Sequence, residues 1–187
     1  MKVVFVKDTW KLLGVQIMGT EGVDKRLDVL ATGMHAGMKA NMLKDLDLAY
    51  APPFSSAKDP VNMAGFMIEN IKNGFVKQYH WDEIAALPRD GSVTLLDTRT
   101  AYEYKSGHID GYINIPVDDL RERMNEIDDS KPVYVICQSG LRSYIACRIL
   151  TQNGFDCYNF SGGYRFYASV IKEKEMSEYT YPCGMEK

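Results

Sequence analysis

The stretch of this 187-residue sequence best suited to chemistry is Pro132-Val-Tyr-Val-Ile-Cys137-Gln138-Ser139-Gly140-Leu141-Arg142-Ser143, followed by Tyr-Ile-Ala-Cys-Arg-Ile-Leu. The apolar run ending at Ile136 predicts a buried strand, and the run after Arg142 predicts a helix. Cys137 therefore stands at the carboxyl end of a strand, facing a helix N-terminus, which is where ligands gather in open α/β sheets. A loop this short must curl and turn its backbone N–H groups inward. With the helix dipole they make an anion pocket around the sulfur. Such surroundings favour a nucleophilic thiolate and stabilise an anion delivered to it or carried by it. Gly140 supplies backbone freedom for the curl, and Arg142 a fixed positive charge at its exit. A merely structural strand-end cysteine needs neither a polar, glycine-containing turn nor a terminal arginine.

The other cysteines read differently. Cys147 lies mid-helix among Tyr144, Ile145, Ala146, Ile149 and Leu150, and Cys157 opens a strand, so both are expected in the core. Cys183, in Tyr181-Pro182-Cys183-Gly184, is either a resolving thiol or a bystander. With no Cys-x-x-Cys pair and no His/Cys ligand spacing, neither a metal site nor a disulfide framework is expected. Asp97 ends a buried strand and Arg99 follows it, which reads as a buried structural ion pair, the alternative being support of the loop in the site. Glu103 stands four residues after Arg99, a helix-compatible pairing distance. His108 sits in a tight Gly-His-Ile-x-Gly bend with a packing role, and His35 and His80 are expected at the surface.

Two styles of sequence position these residues. From Phe75 onward short β runs alternate with helices: a strand over 75–79, helix 81–87, strand 93–96, helix 101–105 and edge strand 112–115. Then come helix 117–127, strand 133–136, helix 142–152, strand 157–159 and a last helix over 163–171. That alternation predicts an α/β domain with a parallel sheet over residues 73–172, followed by a tail over 173–187. The first 72 residues predict a hairpin (3–6 and 12–18), then a helix of about five turns capped by Thr20, with Val23, Leu27, Leu30, Ala31, Met34 and Met38 on one face. A short helix over 42–48, an extended Ala51–Ser56 loop and a helix from Pro60 to Ile71 follow. Two strands with three helices make a thin α+β unit, and a lone hairpin is marginal, so this part looks to another chain for sheet or helix partners.

Composition sets outer bounds. Lys+Arg number 22 against 25 Asp+Glu, net charge −3, which leaves no basic surplus for nucleic acid. No apolar run reaches bilayer length and the opening apolar stretch is too short for a secretory signal, so no membrane association and a cytoplasmic location are expected.

Residues 75–172 resemble a single rhodanese-homology domain. The tracts that carry this are Leu95-Leu96-Asp97-Thr98-Arg99, then Glu103-Tyr104-Lys105-Ser106-Gly107-His108-Ile109-Asp110-Gly111-Tyr112-Ile113-Asn114-Ile115-Pro116, then Cys137–Ser143 and Asn159-Phe160-Ser161-Gly162-Gly163. The resemblance implies that Cys137 takes up sulfane sulfur as a persulfide, that Gln138, Ser139, Gly140, Leu141 and Arg142 cradle it, and that Arg142 orients an anion. The Cys137–Arg142 loop is one residue shorter than the ring of related phosphatases and lacks the histidine that precedes their cysteine, which favours sulfur transfer over phosphate hydrolysis.

Residues 1–72 resemble part of the carboxy-terminal dimerisation domain of flavin-dependent pyridine nucleotide-disulfide oxidoreductases, especially coenzyme A-disulfide and persulfide reductases. The tracts are Gly22-Val23-Asp24-Lys25-Arg26-Leu27-Asp28-Val29-Leu30-Ala31 and Leu48-Ala49-Tyr50-Ala51-Pro52-Pro53-Phe54-Ser55-Ser56-Ala57-Lys58-Asp59-Pro60-Val61-Asn62. That likeness implies a homodimer, a partner reductase or reductase domains, and a contact of Tyr50 with the partner's disulfide-reducing site. Phe54 fills a second aromatic slot. FAD, NAD(P)H and coenzyme A are implied only for a full-length relative. Gly14, Gly19 and Gly22 do not form a dinucleotide fingerprint, so no cofactor is expected on this chain. The expected activity is sulfur transfer from thiosulfate, polysulfide or a coenzyme A persulfide to a thiol or reductase. The alternative is a non-catalytic docking and dimerisation module.

Overall fold

The computed structural model describes residues 1–179, which divide into two compact units, 1–74 and 75 onward. In the first, β1 (Lys2–Phe5) pairs antiparallel with β2 (Leu12–Gln16), Val3 opposite Val15. Helix α1 (Val23–His35) starts behind Gly22, at φ 61, rather than behind Thr20, and is shorter than five turns. The apolar spacing overruns it for a physical reason. Gly37, at φ 73, reverses the chain, and the Met38 N–H returns to the Gly33 carbonyl at 2.8 Å, so Met38 packs on the same core without being helical. Residues 40–45 form a 3-10 helix where an amphipathic helix over 42–48 is expected.

Helix α2 (Pro60–Lys72) begins with a complete capping box. The Asp59 carboxylate accepts from Val61 N at 2.9 Å, the Asn62 side chain accepts from Asp59 N at 3.2 Å, and Pro60 occupies the first turn. Asp59 also accepts from the Arg26 guanidinium at 3.1 Å. At Gly65 a Cβ would stand 2.2 Å from Lys44 N, so α2 lies at backbone distance from the 3-10 segment. Leu12, Leu30, Ala40, Leu43, Val61 and Ile68 form the core. The Ala51–Ser56 segment turns rather than extends, with Phe54 N and Ser55 N both donating to Ala51 O. Tyr50 and Phe54 are exposed, Phe54 at 85%.

In the second unit five parallel strands stand in the order β3 (Lys77–Tyr79), β7 (Cys157–Phe160), β6 (Val133–Ile136), β4 (Thr94–Asp97) and β5 (Ile113–Asn114). Alternate residues feed two cores. Leu96, Val133, Val135 and Cys157 join Ala146, Cys147 and Leu150 of α4 (Leu141–Gln152) on one face. Leu95, Ile136 and Phe160 join Tyr79 and Tyr112 on the other, with Tyr164 and Tyr167 of α5 (Gly163–Tyr179) packed against them. Both faces are covered, which is why these strands read as continuous apolar runs.

Three expected elements differ. The helices over 81–87 and 117–127 are instead short 3-10 turns at Ile84–Ala86 and Met124–Glu126. Over 116–127 successive turns bury Leu120 and Ile127, satisfying the apolar spacing without a continuous helix. Helix α5 continues through Tyr179, so residues 173–179 extend it rather than starting a tail.

The chain leaves β4 through α3 (Ala101–Lys105) toward β5, and leaves β6 through α4 toward β7, in opposite directions along the sheet. The carboxyl ends of β4 and β6 thus flank a topological switch point, the crevice where α/β sheets bind ligands.

Candidate functional site

Cys137, 1% exposed, follows β6 directly, and its loop wraps back over the sulfur. Gly140 N–H donates to Cys137 Sγ at 3.1 Å and the Ser143 hydroxyl donates to it at 3.2 Å. The turn demands a glycine, because residue 140 takes φ 106 and heads α4. Two loop carbonyls face away from the sulfur: Tyr164 N donates to Cys137 O at 2.8 Å and Arg165 N to Gln138 O at 3.2 Å. The loop thereby caps the first turn of α5. In a trans peptide the N–H lies opposite its carbonyl, so the N–H groups of Gln138 and Ser139 point back into the curl. This contact is tight. Gly163 has φ 71, and a Cβ there would sit 2.5 Å from Ser139 N and 2.6 Å from Gln138 C.

The acidic and basic residues sort into two closed pairs. Asp97 accepts from Arg99 N, Nε and Nη2 at 2.7–3.0 Å, with both side chains buried. Arg99 also donates to Gly107 O at 2.8 Å, stands 3.4 Å from Gln138 Oε1 and stacks its guanidinium 3.9 Å from the Tyr164 ring. This pair therefore buttresses the loop from β4. Glu103 does not pair with Arg99. Thr100 caps α3, so Arg99 precedes the helix and the four-residue spacing is not a helical one. Glu103 instead receives both terminal nitrogens of Arg142, at 2.6 and 2.7 Å. The Arg142 hydrogen bonds hold its carboxyl down at about 2, and Arg142 is raised in return. The expected anion-orienting charge thus comes with a carboxylate on it.

Leu141 is 62% exposed and Ser139 exposed, so their side chains form the outer lip while their backbone shapes the curl. Tyr50 and Phe54 belong to the first unit. His108 stacks on Tyr104 with ring centroids 4.1 Å apart, a packing role as expected. Cys147 and Cys157 are buried; the contact with Cys157, together with burial, pushes the Cys147 thiol up. Cys183 lies outside the described residues. Among the described residues no His/Cys/Asp/Glu cluster is arranged for a metal, and no helix is long and apolar enough to cross a membrane.

Residues 80–169 match the rhodanese-like domain model, and residues 1–61 match the dimerisation domain of pyridine nucleotide-disulphide oxidoreductases. YtwF of Bacillus subtilis, which bears a provisional sulfurtransferase name, is 33% identical over 85 residues, covering 46% of this chain and 82% of YtwF. The chain belongs to the rhodanese-like family. Its combination of domains is also found in solved structures. Reduced Bacillus anthracis CoADR-RHD is 46% identical with a TM-score of 0.87, over 91% of this chain and 30% of that one. A NAD-dependent persulfide reductase from A. fulgidus is 36% identical with a TM-score of 0.74, over 86% and 28%. A coenzyme A disulfide reductase of Staphylococcus epidermidis is 39% identical over 66 residues, 35% of this chain and 15% of the reductase. The chain thus spans less than a third of these reductases, and comprises a dimerisation-domain segment followed by a rhodanese-like domain.

For this rhodanese-like chain the residues present do not fit a flavin or nicotinamide. The only sheet of the described first unit is an antiparallel hairpin without a β-α-β crevice, and the parallel sheet's switch point is filled by the cysteine loop. Sequence reasoning gave no role to Ser143, Asn159 or the Gly162-Gly163 step. Asn159, 4% exposed, places Nδ2 3.5 Å from Gly140 O. A buried polar residue ending β7 beside the loop was visible as Asn159-Phe160-Ser161-Gly162-Gly163, and a hydroxyl in the first turn of α4 as Arg142-Ser143; neither sequence says which atom it meets.

Proposed function

We propose that this chain is a rhodanese-type sulfurtransferase carrying sulfane sulfur on Cys137. One observation carries the reading: two donors, Gly140 N–H and the Ser143 hydroxyl, aim at a sulfur held at the end of β6. A backbone donor held by the turn and a hydroxyl beside it serve negative charge on sulfur. In the first half-reaction the Cys137 sulfur attacks the outer sulfur of thiosulfate, a polysulfide or a coenzyme A persulfide. An S–S bond forms to Cys137 and the donor's own S–S bond breaks, its electron pair leaving as sulfite or a thiolate. In the second, an acceptor thiolate, cyanide or a reductase site takes the outer sulfur and returns Cys137 to a thiolate. The inward N–H groups of residues 138–140, with Leu141 and Arg142 closing the loop, cradle the persulfide. Asp97 and Arg99 hold the loop, and the Glu103–Arg142 pair closes its exit.

Residues 1–72 form the homodimer contact and bring the sulfur carrier to flavin and nicotinamide reductase domains, with Tyr50 reaching the partner site; the location is cytoplasmic. The family matches and the exposed aromatic turn support this. Intact mass after thiosulfate, then after cyanide, tests the activity. Wild type gains one sulfur and loses it again, whereas Cys137→Ser gains none. If neither thiosulfate nor a coenzyme A persulfide loads wild type, the chain is a docking module instead.

A further inference from the structure

The sulfur donors open to Cys137 differ most in charge. Thiosulfate brings a dianion to a nucleophile that is itself a thiolate, whereas an alkyl persulfide brings a single charge at most and none in its S–H form. Drawing in the dianion calls for a free cation at the loop. Arg142, partly exposed at the loop exit, is placed for that task, yet its charge is already matched. Glu103 Oε2 accepts from Arg142 Nη1 at 2.7 Å, and Glu103 Oε1 accepts from Nη2 at 2.6 Å. Thr100 N–H and Oγ1 also donate to Oε2, at 2.9 and 2.8 Å, so the start of α3 fixes the carboxylate in place. A bidentate pair with one partner tied down is not a loose surface contact. The Glu103 carboxyl, held down at about 2, stays charged wherever a thiolate exists. Arg99 is no substitute, because it is buried with two of its nitrogens on Asp97. Arg165, whose N–H backs the loop, has an exposed side chain, where water and salt screen the charge. Tyr102 and Leu141, next to the pair in sequence, are exposed and add apolar surface rather than charge. We propose that Glu103 is a specificity-determining residue: by neutralising Arg142 it turns the Cys137 site away from thiosulfate and toward sulfane sulfur carried on an organic thiol. The proposal rests on the sulfur-carrier reading above.

The two loading reactions share their bond changes and differ in electrostatics. With thiosulfate, the Cys137 thiolate attacks the outer sulfur, an S–S bond forms to Sγ, and the electron pair of the broken S–S bond leaves on sulfite. With an alkyl persulfide, Sγ attacks the terminal S–H sulfur and the pair leaves on the alkyl thiolate, while the proton stays on the transferred sulfur. Sulfur is passed on with no net oxidation in either case. As the reactants meet, a dianion approaches a thiolate in the first reaction and a neutral group does so in the second. Against that approach the Arg142–Glu103 pair offers no net charge. Removing the Glu103 charge would return a full positive charge to the loop exit. Its pull on a dianion is twice that on a monoanion and vanishes for a neutral donor, so the gain falls selectively on thiosulfate.

The test uses the full chain as wild type, Glu103→Gln, Arg142→Gln and the double variant. Glutamine still accepts from Thr100, which keeps the cap of α3. The rate of sulfur gain on Cys137 is followed by mass with thiosulfate and with 2-hydroxyethyl persulfide, and read as the ratio between the two donors. That ratio cancels any change in the reactivity of the Cys137 sulfur itself. Glu103→Gln should raise the thiosulfate-to-persulfide ratio about tenfold, and added salt should erase most of the gain. Arg142→Gln should lower the ratio, and the double variant, neutral like the wild-type pair, should return close to the wild-type value. An unchanged or lowered ratio in Glu103→Gln would overturn the proposal. So would both single variants moving the ratio the same way, since damage to the loop and not charge would then be the cause. Alkylation of Cys137 by iodoacetate and by iodoacetamide, alike in reaction and different in charge, repeats the comparison without sulfur transfer. The acetate-to-amide ratio should rise about threefold in Glu103→Gln. A wild type that gains sulfur from neither donor defeats the carrier reading separately, and the alkylation ratio still decides for or against Glu103 as the residue that sets the charge met at Cys137.

Discussion

The two units of this chain use similar apolar content to opposite ends. Residues 75–179 wrap both faces of a five-stranded parallel sheet, so its two cores are closed within the unit. Residues 1–74 gather one core beside a two-stranded hairpin and leave Met18, Phe54 and Met67 half or more exposed. The other unit exposes Tyr102 on α3 and Leu141 at the lip of the loop. The first unit is the one that matches a dimerisation domain. One half is organised around a loop, and the other is the half we expect to meet a partner.

Ion pairs give the sharpest test of that contrast. Asp97→Asn leaves the buried Arg99 without a counter-charge and should cost about 3–5 kcal/mol in urea unfolding. Asp59→Asn removes the charge facing Arg26; Asp59 is buried, but Arg26 is 19% exposed and keeps access to water, and Asn remains a good N-cap, so a smaller cost of about 1–2 kcal/mol is expected. Equal costs would remove the distinction between a sealed unit and an open one.

Glycines separate the loop from the surface. Gly163→Ala forces a Cβ into the backbone of Ser139 and Gln138, so sulfur loading by intact mass should fall at least about tenfold, with about 1–3 kcal/mol of stability lost. Gly65→Ala makes a comparable clash with Lys44 inside the first unit and should lower stability while leaving loading unchanged. Loading lost in both variants would show that the loop depends on the first unit. Sedimentation at micromolar concentration should give a two-chain mass for wild type. Charging exposed apolar positions of this unit with Phe54→Glu and Met67→Glu should shift it toward one chain, and a monomeric wild type would remove the expected partner contact from the comparison.

The smallest effect belongs to the loop exit. The carboxyl of Glu103 titrates near 2, below the ordinary carboxylate range, because Arg142 holds it. A depressed acid contributes stability above its unfolded-state pKa and loses it as pH falls through the folded value. Glu103→Gln should therefore cost about 1 kcal/mol at pH 7, with the gap to wild type closing between about pH 4.5 and 2. A gap constant over that range would show that the pair contributes by shape alone.

Much of the fold was legible because local pattern and tertiary burial agree. β6 over Val133–Ile136 appears where its apolar run predicts a strand, and α3 over Ala101–Lys105 where the alternation of strands and helices predicts a short helix. Pattern misled where apolar spacing outlasted the helix, as at Met38 beyond the Gly37 reversal and across Leu120 and Ile127. The site was legible in the same partial way: Cys137 and the need for Gly140 follow from a short strand-to-helix loop, whereas Arg142 meeting Glu103, rather than Arg99 doing so, joins segments 39 residues apart.

Sequence alone settles the strand–loop–helix that carries Cys137, since the short turn from Cys137 to Gly140 between a buried strand and a helix has few ways to close. The tertiary structure decided what backs that loop. Gly140 and Ser143 meet the sulfur from within the same turn, whereas the carbonyls of residues 137 and 138 are received by α5 and Gln138 stands beside Arg99. The contacts from α5 and Arg99 depend on where separate segments come to rest in one sheet, and no local spacing encodes that.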